Sequence, residues 1–202
     1  MNKIVIVRLI TTIILLAASL VVNASDTFSD FMGSPKYETR AVWLTTFRGL
    51  DWPKTRATDV WNCYKQQQEL TKILDGLKAV NINTVIFQAR SSGHVAYPSK
   101  YETYSEYWAG KQGVGPGYDP LAFVVEECHK RGMECSAWVV SVPPANGYRD
   151  PNNPSTADYV ASICEEIVRN YDVDGISLDY IRYRDGKAKG VSQWQACENI
   201  TR

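Results

Sequence analysis

From Arg40 onward the chain alternates between short continuous apolar runs and longer stretches whose apolar residues recur at helical spacing. That alternation limits the fold more than any other feature. Ala41-Val42-Trp43-Leu44 has no polar interruption, the pattern of a strand covered on both faces. Leu70, Ile73, Leu74, Leu77 and Val80 then fall at i, i+3, i+4, i+7 and i+10, one face of a helix. Thr84 to Phe87 reads as a second strand. Asp119-Pro120 starts a second helix, because Asp caps the free amides and Pro suits a first turn that lacks partners for its N–H. Its stripe is Leu121, Val124, Val125 and Cys128, and Gly132 ends it. Cys135 to Val140 forms a third strand. Ser155 with Asp158 reads as the capped start of a third helix, striped by Val160, Ile163, Cys164, Ile167 and Val168, and Gly175 to Leu178 forms a fourth strand.

Strands that alternate with helices imply a parallel sheet joined by right-handed crossovers, since each connection must cross one face of the sheet. An open doubly wound sheet and a (β/α)8 barrel both satisfy this. No glycine-rich phosphate loop follows the first strand, which weighs against a nucleotide-binding sheet. The long segments follow the strands, from Phe47 to Asn62, Ala89 to Asp119 and Ser141 to Pro154, while the returns are short. Barrel enzymes build their sites from loops on that side. The predicted fold class is therefore α/β, the N-terminal half of a (β/α)8 TIM barrel with about four βα units, truncated relative to the roughly 250 residues of a full barrel. Four strands alone would leave two raw edges and an open apolar face, so self-association through that face is expected.

The N-terminus carries a different message. Lys3 and Arg8 precede an apolar stretch from Leu9 to Val22, and Val22-Asn23-Ala24 offers small residues for cleavage. Residues 1–24 are expected to be a signal peptide, 25–39 a linker and 40–202 the partial barrel. The mature chain is then exported and makes no stable membrane insertion. Lys plus Arg number 22 and Asp plus Glu number 22, so no excess charge favours nucleic acid as a partner. The chain has five Cys, none spaced as CxxC, and two His, which gives no ground for a metal site; no organic cofactor is implied either. Cys128 and Cys135 bracket a helix-to-strand turn where export would permit a disulfide, but the helix stripes favour several of the cysteines as small buried hydrophobes.

The chemistry concentrates at Asp174-Gly175-Ile176-Ser177-Leu178-Asp179-Tyr180-Ile181-Arg182-Tyr183. Side chains alternate along a strand, so Ile176 and Leu178 should face the helices while Gly175, Ser177 and Asp179 face the interior. Asp179 then stands at the strand tip, pointing to the barrel mouth, where a carboxylate can attack or stabilise an oxocarbenium-like carbon. A simple ion pair with Arg182 or Arg90 would explain it too. Asp174 lies at the opposite end, and Asp-Gly there makes a turn. Gln88 and Arg90 reach the mouth by the same alternation, Arg90 either binding substrate or holding a loop. Trp138 is expected to be half core and half pocket wall, and Tyr180 and Arg182 to contact substrate. His94 is a lone loop histidine, more often exposed than bound.

Several of these segments resemble the glycosyl hydrolase-like 10 family. They are Arg40 to Thr46 with Gly49 to Pro53, Asn83 to Arg90, Gly117 to Phe123, Glu127 to Glu134, and Asp174 to Tyr183. All five occur in family order. The resemblance implies an exported bacterial protein with a barrel fold, acting on glycosidic bonds. It also implies that Asp179 is the acid at the end of the fourth strand, with Gln88 and Arg90 at the mouth. Two positions depart from it: Ser136 stands where His is expected before Ala-Trp, and Arg184 where Pro is expected. The expected function is that of a secreted glycoside hydrolase acting on O-glycosidic bonds of a poly- or oligosaccharide, incomplete in this chain, with Asp179 catalytic and Gln88, Arg90, Trp138, Tyr180 and Arg182 binding substrate. A non-catalytic carbohydrate-binding protein and an inactive truncated fragment are the alternatives. Glycosidases use two carboxyl groups; Glu102, Glu106 and Asp119 are available, but none stands at a strand tip.

Overall fold

A computed structural model describes residues 38–142, 149–151 and 153–181. The ten regular elements run in the order β1 (Ala41–Leu44), a 3-10 turn (Phe47–Gly49), α1 (Val60–Ala79), β2 (Thr84–Ser91), β3 (His94–Val95), α2 (Glu106–Ala109), α3 (Pro120–Lys130), β4 (Glu134–Val140), α4 (Pro154–Asn170) and β5 (Gly175–Asp179). β1, β2, β4 and β5 lie side by side in that order, and every neighbouring pair is parallel. The order never reverses. A doubly wound sheet needs a switch point, and a barrel needs none, so this is the strand succession of the first four units of a (β/α)8 barrel.

One face of the sheet carries Val85, Phe87 and Ala89 from β2 and Cys135, Ala137 and Val139 from β4, all fully buried against the helices. Ile176 and Leu178 of β5 pack on the same core, as the alternation requires. The interior face is more open: Trp43 remains 51% exposed and meets Trp138 edge-on at 4.8 Å between ring centroids. Burial of the helix-facing side chains supplies most of the cohesion, at about 25 cal/mol per Å² of apolar surface.

The helix starts follow local chemistry. Asp59 accepts the N–H of Asn62 and starts α1 ten residues before the apolar stripe begins, because the first turns of that helix carry exposed Val60, Trp61 and Tyr64. Asp119 caps α3 through the Ala122 N–H with Pro120 in the first turn, as expected. α4 differs from the sequence expectation. Its cap is Asn153, which accepts from Ser155 N, with Pro154 in the first turn. Proline in the first turn costs no hydrogen bond, so the helix begins before Ser155.

A bulge in β2 matters most for the site. Gln88 pairs with Trp138, but Arg90 pairs with Val139, so Ala89 is the extra residue. Past the bulge the alternation is displaced by one. Arg90 therefore shares a row with Val139, on the helix-facing side.

Candidate active site

Asp179 ends β5 at the mouth of the sheet. Its Oδ2 accepts from Trp138 Nε1 at 3.1 Å and its Oδ1 from the Tyr180 N–H at 2.7 Å. Its own carbonyl accepts from Ser141 N at 2.7 Å, which ties the tips of β4 and β5 together. Tyr180 takes a left-handed backbone, φ 52°, an uncommon conformation for a residue with a side chain. Such conformations cluster where a loop must turn abruptly around a site.

Beside this tip is a cavity of about 470 Å³ whose walls include Trp138, Tyr180, Gln88, His94, Glu106 and Trp108. Its size suits a small-molecule or sugar-unit ligand. The wall built by β3 exists because Ser92 and Gly93 both take positive φ (50° and 77°), the pair of values that closes a two-residue hairpin. That turn folds His94 back beside Ser91 and over the mouth. The sequence signal was the Ser-Gly dipeptide between two strand-like residues on either side, a short-range hairpin cue. The 3-10 turn after β1 forms another part of the wall, and Arg48 within it lies 5.0 Å from the Phe47 ring centroid. Neither this turn nor α2, which brings Glu106 to the pocket, carries enough apolar periodicity to be read from sequence.

Gln88 is buried and half committed. Its Oε1 accepts from Thr45 Oγ1 at 2.6 Å and from the N–H groups of Thr46 and Phe47 at 2.9 Å each. The side chain thereby fixes the loop after β1, and the amide nitrogen is the donor it retains for a ligand in the pocket.

Arg90 does not reach the mouth. It is 1% exposed and forms a two-pronged pair with Glu102, Nε to Oε2 at 2.8 Å and Nη2 to Oε1 at 2.5 Å. Its Nη1 donates to the carbonyls of Val140 and Ser141. Tyr159 of α4 donates to the same Glu102 carboxylate at 2.9 Å. The expectation from alternation fails here because the bulge turns Arg90 to the helix side, and the loop-holding role is the one it fills. Arg182 lies outside the described residues. Of the three spare acids, Glu102 is held by Arg90, and Asp119 caps α3 and accepts from Tyr171 Oη at 2.7 Å. Glu106 alone of the three lines the pocket.

Asp174 sits at the other end of β5 with a purely structural set of partners. Its Oδ2 meets His129 Nε2 at 2.9 Å and accepts from Cys135 N at 2.7 Å. Burial raises its pKa, but the Cys135 N–H and His129 outweigh that and hold it below the ordinary aspartate value. Among the described residues no group of three His, Cys, Asp or Glu side chains could hold a metal ion.

The motifs that place Gln88 and Asp179 on adjoining walls lie in a segment that known proteins share. The profile of the glycosyl hydrolase-like 10 family matches residues 38–146, more than half of the chain. The chain belongs to that family. Among curated relatives, glycosyl hydrolase YngK of Bacillus subtilis (strain 168) is 34% identical over 169 residues, 70% of this chain and 32% of its own length. Glycosyl hydrolase DigH of Escherichia coli (strain K12) is 34% identical over 185 residues, 72% of this chain and 42% of its own. The chain thus spans about a third to two-fifths of these relatives. A hypothetical protein from Ruminiclostridium thermocellum ATCC 27405 is similar among solved structures, at TM-score 0.49 and 16% identity over 66% of this chain and 83% of that one.

Proposed function

We propose that the chain forms the nucleophile side of an exported glycoside hydrolase that acts on O-glycosidic bonds of a poly- or oligosaccharide. The observation that carries this reading is Asp179, a carboxylate at a parallel-strand tip, held by Trp138 Nε1–H and the Tyr180 N–H beside an aromatic-walled cavity. One lone-pair direction on each oxygen is used by a donor, which leaves the others for an anomeric carbon or the sugar hydroxyls around it. Trp138 and Tyr180 offer flat faces for a sugar ring, and the Gln88 amide a hydrogen-bond donor. Arg90 enters as a brace for the mouth rather than as a substrate contact. Asp179 then acts as nucleophile or as the stabilising carboxylate of the oxocarbenium-like transition state.

The test is an assay of released reducing ends on aryl glycosides and soluble glycans, run on this chain and on a full-length relative with the same strand motif. Turnover that disappears on Asp179→Asn supports the reading, and turnover that survives the substitution rejects it. Binding without turnover in both proteins would instead favour a carbohydrate-binding module. Glu106→Gln in the same assay reports whether the pocket's other acid supplies the proton. Export is checked by N-terminal sequencing, expected to begin at Ser25; intact Met1 in the membrane fraction would reject it.

β1 and β5 each pair on one side only among the described residues, and Trp43 is half exposed on the interior face. Self-association through this face is the expected behaviour of residues 25–202 expressed alone. Light scattering that finds a monodisperse monomer would reject it.

A further inference from the structure

Cys128 and Cys135 are both fully buried, one on the last turn of α3 and the other at the start of β4. The turn between them is held tightly: Arg131 N and Met133 N both donate to the Cys128 carbonyl at 3.0 Å, and Gly132 takes φ 60°. Cys135 is fixed from the other side, its N–H bonded to Asp174. The backbone thus folds back on itself, and the two side chains lie in hydrogen-bonding contact inside the layer between helix and sheet. Cys63 and Cys164 lie on other helices, α1 and α4. Sequence alone put the pair on either side of a turn; the fold adds that the thiols meet.

We propose that Cys128 and Cys135 are a disulfide-forming pair, closed by thiol–disulfide exchange with a small-molecule or protein disulfide while the chain folds. One protein thiolate attacks the donor disulfide and expels a donor thiolate, giving a mixed disulfide. The second protein thiolate then attacks that bond and expels the other donor thiolate. The protein loses two hydrogens and the donor becomes two thiols, so electrons and protons balance. Contact with Cys128 and burial raise the Cys135 thiol well above its ordinary pKa, so the folded protein reacts slowly in either direction. Closure therefore belongs to the folding chain, and the finished bond is shielded from reductants. Its formation in the cell rests on the proposed export into an oxidising compartment; its chemistry in a buffer does not.

The full chain is denatured and reduced, refolded in a mixture of reduced and oxidised glutathione, denatured again with an alkylating agent, and mapped by mass spectrometry. The expected product is a Cys128–Cys135 cross-linked peptide, lighter by two hydrogens, with Cys63 and Cys164 alkylated. The oxidised protein should melt about 5 °C above the reduced one, and Cys128→Ala should abolish that gap. Alkylation of both Cys128 and Cys135, or a cross-link between either one and another cysteine, would overturn the pairing. The mapping needs only the wild-type chain, so a variant that fails to fold leaves the outcome decided. The same mapping on protein recovered after export bears on localisation separately: free thiols there, after closure in the buffer, would count against the export reading and not against the pair.

Discussion

Asp174 and Asp179 stand five positions apart and bound the same short strand, yet they occupy opposite chemical situations. At the foot of β5, one oxygen of Asp174 takes both a histidine and a backbone amide, and its partners are themselves parts of the scaffold. At the mouth, Asp179 takes one indole and one amide, and the surface beside it is a cavity. The foot fixes where β5 begins relative to β4 and α3. The mouth spends the same residue type on a surface a ligand can meet. A parallel sheet with helical returns makes this division on its own, because short turns gather at one end and long loops at the other.

The largest expected effect breaks the comparison at the mouth. Asp179→Asn in a full-length relative should lower turnover by roughly a thousandfold or more, as loss of a covalent or charge-stabilising group does. It should shift melting by only about 1–2 °C, since Asn keeps the shape and can still accept from Trp138 and Tyr180. Kinetics beside calorimetry separates the two. A large stability loss with activity retained would place Asp179 with Asp174, among the residues that hold the fold.

Much of that division was legible in advance, and the reason is physical. Apolar runs and helical stripes report burial directly, so all four parallel strands and the three long helices could be read from sequence. Asp174 as a turn residue and Trp138 as a pocket wall follow from position along a strand. The failures share a cause. Arg90 was misplaced because one extra residue, Ala89, inverts the alternation, and nothing in Gln88-Ala89-Arg90 marks a bulge. The β3 hairpin, the turn at Phe47–Gly49 and α2 are too short for periodicity to show. Their shapes depend on contacts distant in sequence, such as Gln88 Oε1 with the Thr46 N–H. The start of α4 was misread because two capping patterns overlapped, and Pro154 decides in favour of Asn153.

Arg90 offers a second, smaller test, because it braces the mouth from beneath. Its pair with Glu102 is almost wholly buried, at 1% and 7% side-chain exposure. Removing one partner strands the other charge. Arg90→Ala should cost about 3–5 kcal/mol, or roughly 10 °C in melting temperature. Replacing both residues with apolar ones of similar volume should recover much of the loss, because then no charge is left unpaired. If Arg90 were instead a solvent-facing substrate contact, Arg90→Ala would leave melting nearly unchanged, and that result would reverse the correction drawn from the bulge.

The smallest effect sharpens the foot. Folding holds the Asp174 carboxyl below its ordinary pKa, so the native state binds that proton less readily than the unfolded chain does. The resulting stability is fully present above the ordinary aspartate value, about 3.9. It is lost as pH falls through the lower folded value. Asp174 is 38% exposed and its partner His129 35%, so solvent screening keeps the contribution near about 0.5 kcal/mol at neutral pH. Asp174→Asn should therefore melt about 1–2 °C below wild type at pH 7, and the gap should close in acid as the wild-type carboxyl takes up its proton. Paired melts at descending pH measure this. A gap that stays constant into acid would show that Asn fails for its shape and not for its missing charge, and the foot would then owe its order to the Cys135 N–H hydrogen bond rather than to the ion pair with His129.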